Sequence, residues 1–457
     1  MNSQKRLGEM KVGKLILEFS IPAIIGMLVN TLYNIIDRIF IGHIEGIGNL
    51  AMAGVGITMP LMFVILAFGM LIGIGTATRI SIKLGQHDKE GAEKHLGNAF
   101  TLIIIISIIL TILGLIFANP LLKMFGASEN IIGYGEQFIQ VIFIGCIFNL
   151  ISFSLNHSIR SDGSPKIAMA SMLISAIINI ILDPIFIFGL GLGVRGGALG
   201  TVVAQIISSI WILYYFTKGS STLKIRRKNL KLDKSVVLSI FAIGVSPFSM
   251  QIAQSAVQIV CNNSLQAYGG DLAVGAMTII NSLAMVFFMP IFGLNQGLQP
   301  IIGYNFGAEK HDRVKQTVKY GIIIATIIVT VGFIVIQGFS ETLVVIFNND
   351  PSLVEITSHG MKLFLIMMPV VGGQVIVTSY FQSIGKVKIS MFLSLLRQVI
   401  ILVPCLIIIP MFMGLDGVWA AGAVSDFLSV IITITVFLKV SKNVVKVKEQ
   451  KRIILED

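Results

Sequence analysis

Charge is what this sequence has least of. Only 12% of its 457 residues are Asp, Glu, Lys or Arg, while 55% are hydrophobic. With a mean hydropathy of +0.89, a water-soluble domain is excluded, because such domains carry charge on about a quarter of their residues. Cysteine occurs three times, at Cys146, Cys261 and Cys405. These lie far apart in apolar stretches without CxxC or metal-ligand spacing, so they read as packing residues rather than a disulfide framework or metal site. No HExxH, GxSxG or GxGD pattern occurs, and the six histidines, at 43, 87, 95, 157, 311 and 359, fall in connections or near the ends of apolar runs. An intramembrane hydrolase or acyltransferase therefore lacks its constellation, and no enzyme activity is expected. The glycine-rich stretch "GLGLGVRGG" at 189–197 lacks the GK[ST] ending of a phosphate loop. The net charge of +11 is scattered through short connections, not gathered on one face, so no nucleic-acid partner is implied. No cofactor is expected either.

What the sequence has in abundance is apolar runs of about 20 residues, the length that crosses a bilayer. They fall near 15–41, 51–77, 97–119, 134–157, 167–189, 197–217, 236–266, 272–302, 319–339, 360–383, 389–412 and 416–438. Twelve spans put both termini on one side. The start, "MNSQKRLGEMKVGK", is basic, but the run after it is too long for a signal peptide and reads as the first span. Of the 34 basic residues, 29 lie at the termini or in alternate connections. The opposite connections hold only Lys123, Arg195 and Lys362, while Arg38 and Arg397 sit in or at the edge of spans. The positive-inside rule then makes both termini cytoplasmic, in a multi-pass protein of the plasma membrane.

The expected organisation is all-α, two six-helix bundles related by pseudo-symmetry. Residues 1–217 form the N-terminal bundle, 218–235 a basic linker, 236–440 the C-terminal bundle and 441–457 a basic tail. The linker, "KGSSTLKIRRKNLKLDKS", reads as a lipid-facing basic loop that sets topology. The halves overlay: "LAMAGVGI" at 50–57 on "LAVGAMTI" at 272–279, and "KLGQHDKEGAEK" at 83–94 on "NFGAEKHDRVKQ" at 305–316, both at an offset of 222 residues. Repeats of this kind are a transporter signature, with the substrate site expected at their interface.

The repeat breaks chemically at two acids. Asp37, fifteen residues after Pro22, falls on Asn262, and Asp183, just before Pro184, falls on Val403. An aspartate at the centre of a span costs about 2.5–3.5 kcal/mol on insertion scales, so these positions ask for a use. Asn30, Asn34 and Asp37 share a helical stripe with Tyr33 beside it, and Asn179 precedes Asp183 by one turn. At about 1.5 Å per residue, Asp37 lies roughly 35 Å from Lys14 and Asp183 roughly 25 Å from Lys166, which places both in the outer half of the membrane. Pro22 and Pro184 each free a backbone carbonyl and make candidate hinges. The plainer alternatives are static kinks and an Asp37 that pairs with Arg38. In the C-terminal half, Gln251, Gln254, Gln258 and Asn262 form a polar stripe that either contacts substrate or bonds to neighbouring helices.

These residues carry a resemblance. "PAIIGMLVNTLYNIIDRIFIG", "NIILDPIFIFGLG", "GALGTVVAQ" and "GVWAAGAVSDF" resemble the matching segments of the multidrug and toxic compound extrusion (MATE) transporters, DinF-like branch. The resemblance implies export of amphipathic, mostly cationic organic compounds in exchange for protons or sodium ions, by a monomer in the lipid bilayer. It places Pro22, Tyr33 and Asp37 on the family's first-span site, Asn179 and Asp183 on its fifth-span site, and adds Thr201 and Asn156 to the same pocket. Asp426 in the twelfth span, an acid that other DinF-like members share, is grouped with the cavity as a secondary site and read as a helix-packing acid rather than the coupling group. The seventh-span acid of the NorM-like branch is absent, and Arg38 stands where the family often has a small polar residue. A lipid-linked oligosaccharide flippase of the same superfamily is the alternative, but its cationic cavity has only Arg38 and Arg397 to draw on.

Overall fold

The computed structural model describes residues 3–347 and 350–456, with the side chains of 3–5, 49, 271 and 441–456 outside that description. Its described residues form helices and connections, with no strand. The spans run Val12–Gly42, Leu50–Gly85, Lys89–Met124, a fourth described below, Pro165–Gly189, Val194–Thr217, Lys234–Gly270, Leu272–Gly307, His311–Val345, a tenth, Val387–Ile408 and Pro410–Val440. The fourth, Glu129–Ile144 with Cys146–Ser161, is bent by 60°, and the tenth, Pro351–Phe364 with Met368–Ser383, by 50°. Gly145, at the first bend, falls on Met367, at the second, when the halves are overlaid at 222 residues. Twelve spans result when each bent pair counts as one.

Local chemistry sets several of the helix starts. Asp88 accepts from the Gly91 amide at 2.8 Å, Asp233 from Ser235 at 2.8 Å, and Asp350 from Ser352 at 2.9 Å with Pro351 in the first turn. Such caps satisfy amides that the helix leaves free. Bonds from Lys83 to Asp88 and from Lys94 to Asp233, together with these amides, hold both carboxyls below the ordinary aspartate range. Their contribution to stability is therefore complete at neutral pH and is lost only as the pH falls through those depressed values.

Residues Met1–Ser255, Phe292–Thr317 and Gln382–Val387 form one compact unit; Ala256–Ile291, Val318–Phe381 and Lys388–Asp457 form a second. The first unit thus holds the first six spans with the start of the seventh and the end of the eighth, so units and sequence repeats divide the chain differently. Inside it the first span packs mainly on the fifth, the fifth on the sixth, and the second on the third and fourth. Glycine permits the closest crossings. A Cβ on Gly85 would overlap the Tyr304 carbonyl and one on Gly307 the Ile82 carbonyl, two contacts that the 222-residue offset interchanges. Close backbone approach through small residues is the usual way helices associate in lipid.

The linker corrects an expectation. It is a docked strap and not a lipid-facing loop: Leu223 is fully buried and Asn229 nearly so. Asn98 donates to the carbonyls of Asn229 and Lys231 at 3.1 and 3.3 Å and accepts from the Asp233 amide at 2.8 Å, and Thr101 donates to Leu230 at 2.8 Å. Glu93, buried at the start of the third span, pairs with Arg226 at 2.7 Å. Further along, Asp162 accepts from Tyr215 Oη at 2.6 Å, Ser221 Oγ at 2.7 Å, and both the amide and the hydroxyl of Thr222. Burial raises its carboxyl even against these donors. The basic residues suggested a lipid-facing loop, but the backbone between them needs partners, and the third span supplies them. The stretch before the first span is held likewise: Arg313 donates to the Leu7 and Met10 carbonyls at 3.2 and 2.7 Å, and Lys310 to Gly8 at 3.0 Å.

Candidate functional site

The first, fifth and sixth spans bring the two acids together inside the first unit. Asp37 comes from the first span, a helix unbroken from Val12 to Gly42 across Pro22. Pro184 closes the α-helical part of the fifth span, and a wider turn, Ile185–Gly189, follows in which the Leu190 amide reaches back five residues to the Ile185 carbonyl at 2.8 Å. Proline has no N–H to continue the ladder, and turns of this wider kind recur at functional sites. The sixth span restarts after Gly193, whose φ of 55° suits glycine, and lays Gly197, Gly200 and Thr201 beside the acids.

The resulting site is almost fully buried. Asp183 is fully buried, Asn179 is 1% exposed and Asp37 8%. Asn179 Nδ2 donates to Asp183 Oδ1 at 2.9 Å and to Thr201 Oγ1 at 3.2 Å. The side chains of Asp37 and Asp183 lie within hydrogen-bonding reach of each other, a contact that needs a proton on one of them or a cation between them. Three buried oxygens have no partner at all: Asp37 Oδ1, Asp183 Oδ2 and Asn179 Oδ1. Unsatisfied buried acceptors are costly and call for explanation. Asp37 does not pair with Arg38, whose guanidinium turns to Met59 Sδ at 3.6 Å. Neighbours in a helix sequence point about 100° apart, so adjacency does not bring the two charges together.

The other sequence candidates disperse. Asn34 donates to the Asn30 carbonyl at 2.7 Å and is exposed, so these two satisfy each other, while Tyr33, bonded to both amides, is near enough to Asp37 and Asp183 to sense their charges. Asn156 binds the Ala168 carbonyl at 2.8 Å and Ser171 Oγ at 2.7 Å; Ser171 precedes Asn179 by two turns, roughly 12 Å, so Asn156 braces the fourth span on the fifth and is not in the acid site. Gln251 is buried and Gln254 exposed in the first unit; in the second, Gln258 donates to Asn262 at 2.9 Å. Asp426 pairs with Arg397 at 2.6 Å within the second unit. A groove of about 490 Å³ in that unit is lined by Glu341, Glu355, His359 and Lys362 among others, and none of the sequence candidates lines it.

The sequence arguments passed over Gly197 and Gly200. A methyl group at Gly200 would overlap Asp183 Oδ1, and one at Gly197 would meet Asp37 Oδ1 at 3.2 Å. The signal was there in "RGGALGT", three glycines on one apolar helix next to an acid pair, but their use depends on which face they turn.

Comparison with known proteins now has a geometry to meet. The MatE family profile matches residues 22–185 and 248–408, the two repeats. The multidrug export protein MepA of Staphylococcus haemolyticus is 30% identical over 93% of this chain and 94% of its own. A crystal structure of MATE in the straight conformation superposes with a TM-score of 0.90 at 25% identity, covering 97% of this chain and 98% of the other. A transporter of the MOP superfamily from Pyrococcus furiosus, described by a reversed polarity of its binding pocket, superposes at 0.89 with 25% identity over 95% and 97%. With both repeats matched and the whole fold shared, the chain belongs to the MatE family of multidrug and toxic compound extrusion transporters and is a multi-pass membrane protein, not an enzyme.

Proposed function

We propose that the protein exports amphipathic, mainly cationic organic compounds across the plasma membrane in exchange for inward-moving protons or sodium ions, with both termini in the cytoplasm. In this reading the N-terminal six-span repeat carries the ion exchange and the C-terminal one shapes the drug cavity. The observation that carries it is a pair of buried carboxylates within reach of each other, with no salt bridge to either among the described residues, Arg38 acting on Asp37 only through its charge, and three buried oxygens without a hydrogen-bond donor. Two like charges in a medium of low dielectric repel strongly, and a proton or small cation removes that cost.

Ion loading at Asp37 and Asp183 removes the electrostatic cost of bringing the two acids together and lets the first span bend toward the fifth near Pro22, where the Glu18 carbonyl lacks its helical donor. Drug and ion drive each other only if they favour different states, since a ligand shifts an equilibrium by its difference in affinity. A net negative charge next to the cavity selects cations. The test is dye efflux from proteoliposomes with pH and sodium gradients imposed separately. Ethidium efflux driven by one of the two gradients is the expected outcome. Efflux driven by neither, or transport confined to anionic compounds, would overturn the proposal.

A further inference from the structure

The sixth span gives the acid pair no charged group, yet two of its early glycines decide how much room the carboxylates have. Gly196, Gly197 and Gly200 face three different things. A Cβ at Gly196 would strike the backbone of the fifth span's wide turn, at 2.6 Å from the Phe186 carbonyl carbon and 2.7 Å from the Ile187 nitrogen. One at Gly197 would meet Asp37 Oδ1 at 3.2 Å. One at Gly200 would overlap Asp183 Oδ1 and stand 3.2 Å from its Cγ and 3.3 Å from its amide nitrogen. The first glycine is therefore a packing requirement between two helices, whereas at the third the nearest obstacle is the carboxylate itself.

That carboxylate receives one hydrogen bond, from Asn179 to Oδ1, its Oδ2 has no donor, and the group as a whole lies within reach of Asp37. We infer that Gly200, with Gly197 in a lesser role, is a positioning residue for the exchange site: its missing side chain leaves the volume in which the Asp183 carboxylate lies against the sixth span. A methyl at 200 forces the carboxylate to rotate about its side-chain bonds, which breaks the Asn179 bond to Oδ1 and changes how the group meets Asp37. The acid remains in the protein but no longer shares an ion with its neighbour. This inference rests on the exchange reading above.

Single alanine substitutions at Gly189, Gly196, Gly197 and Gly200, with Asp183→Asn alongside, test it in reconstituted proteoliposomes. The readouts are the concentration of coupling ion at half-maximal ethidium efflux, dye affinity without a gradient, and thermal stability in detergent. Gly189→Ala, with nothing within 4 Å of the new methyl, should match wild type. Gly196→Ala should lower thermal stability and leave the ion dependence of the surviving protein unchanged. Gly200→Ala should shift the half-maximal ion concentration by about tenfold, roughly 1.4 kcal/mol, for every dye, with dye affinity unaltered. Gly197→Ala should shift it by about two- to threefold, in proportion to its shallower contact. If Gly200→Ala does not reach the membrane, Gly197→Ala carries the test, and a wild-type ion dependence there overturns the inference. If Asp183→Asn abolishes efflux while Gly200→Ala behaves like Gly189→Ala, positioning by the sixth span is wrong and the exchange reading stands. Undiminished gradient-driven efflux by Asp183→Asn overturns both.

Discussion

The fifth and sixth spans and their repeat counterparts, the eleventh and twelfth, are built on one plan and end with opposite electrostatics. Each fifth-type span carries a proline and a wide turn, Ile185–Gly189 just after Pro184 and Leu396–Leu402 just before Pro404. Each hairpin carries a carboxylate, fully buried at Asp183 and half-buried at Asp426. In the first, Asp183 has a neutral amide for a partner and a second acid for a neighbour. In the other, Asp426 receives Arg397 Nε at 2.6 Å, while Ser425 braces the Arg397 carbonyl at 2.8 Å. An acid with its own cation is finished chemically; an acid without one has to take its counter-charge from solution. The same scaffold thus holds an ion-paired acid in one half and an acid without a salt bridge in the other, the difference that the exchange proposed above turns on.

Removing the acids is the harshest way to test that contrast. Asp183→Asn or Asp37→Asn keeps side-chain volume and removes the charge, so ion-driven efflux should be lost while membrane abundance stays near wild type. The double variant should be no worse than either single one, because both groups serve one site. Undiminished efflux in either variant, or additive losses from partial activities, would remove the exchange site from this hairpin.

Breaking the brace should instead damage the fold. Arg397→Met leaves Asp426 as an unpaired acid inside the membrane, and halving such a pair costs on the order of 2–3 kcal/mol, the lower end for a buried pair because Arg397 keeps part of its surface exposed. Thermal stability in detergent should fall accordingly. Arg397→Met with Asp426→Leu together should recover most of it, since a well-packed apolar pair replaces an ion pair at little cost. In every one of these variants the coupling-ion profile of efflux should be unmoved. A profile that shifts with Asp426 would make the second hairpin an exchange site too.

How much of this contrast could be read without coordinates depended on the kind of interaction. Asp37, Asp183 and their amide neighbour Asn179 were legible because a carboxylate in an apolar run stands out whatever surrounds it, and the break in the repeat showed that only one half carries them. The twelve spans followed from length and hydropathy alone. Which way a side chain turns was not legible. Asn34 shares a helical stripe with Asp37 yet bonds to Asn30, and Arg38 adjoins Asp37 yet reaches Met59. Arg397 and Asp426, 29 residues apart on two spans, carry no spacing signal at all. The strap formed by 218–234 was hidden for a different reason: its anchors are backbone groups, whose partners Asn98 and Thr101 sit more than a hundred residues earlier.

A gentler perturbation separates ion site from drug site. Gln258 and Asn262 bond to each other in the second unit, with Gln258 exposed. Alanine at either should change the relative efflux of different dyes by a few fold, the value of about one neutral hydrogen bond, and leave the ion profile in place. Asn179→Ala should do the reverse, shifting the ion profile for all dyes alike. Ion profiles that moved with Gln258 and stayed fixed with Asn179 would put the coupling site in the wrong half.

The smallest test compares two hydroxyls in matched surroundings. Thr201 Oγ1 receives Asn179 Nδ2 at 3.2 Å beside the unpaired acids, and Ser429 Oγ lies 3.3 Å from Gln374 Oε1 and 3.1 Å from the Asp426 carbonyl beside the paired one. Each contact is at the long end for a hydrogen bond, and each is worth about 1 kcal/mol or less, so neither loss should unfold the protein. Their consequences should still differ in kind. Thr201→Val removes an oxygen from a site that has only oxygens to offer an ion, and should shift the half-maximal ion concentration by up to about fivefold with little change in thermal stability. Ser429→Ala removes a strut from a cluster that is already neutral, and should cost a fraction of that energy in stability with no change in ion dependence. Measured on the same preparation, the two substitutions turn the comparison of the hairpins into a single contrast. If Ser429→Ala moved the ion profile as far as Thr201→Val, the guanidinium of Arg397 would not be isolating its acid from the exchange.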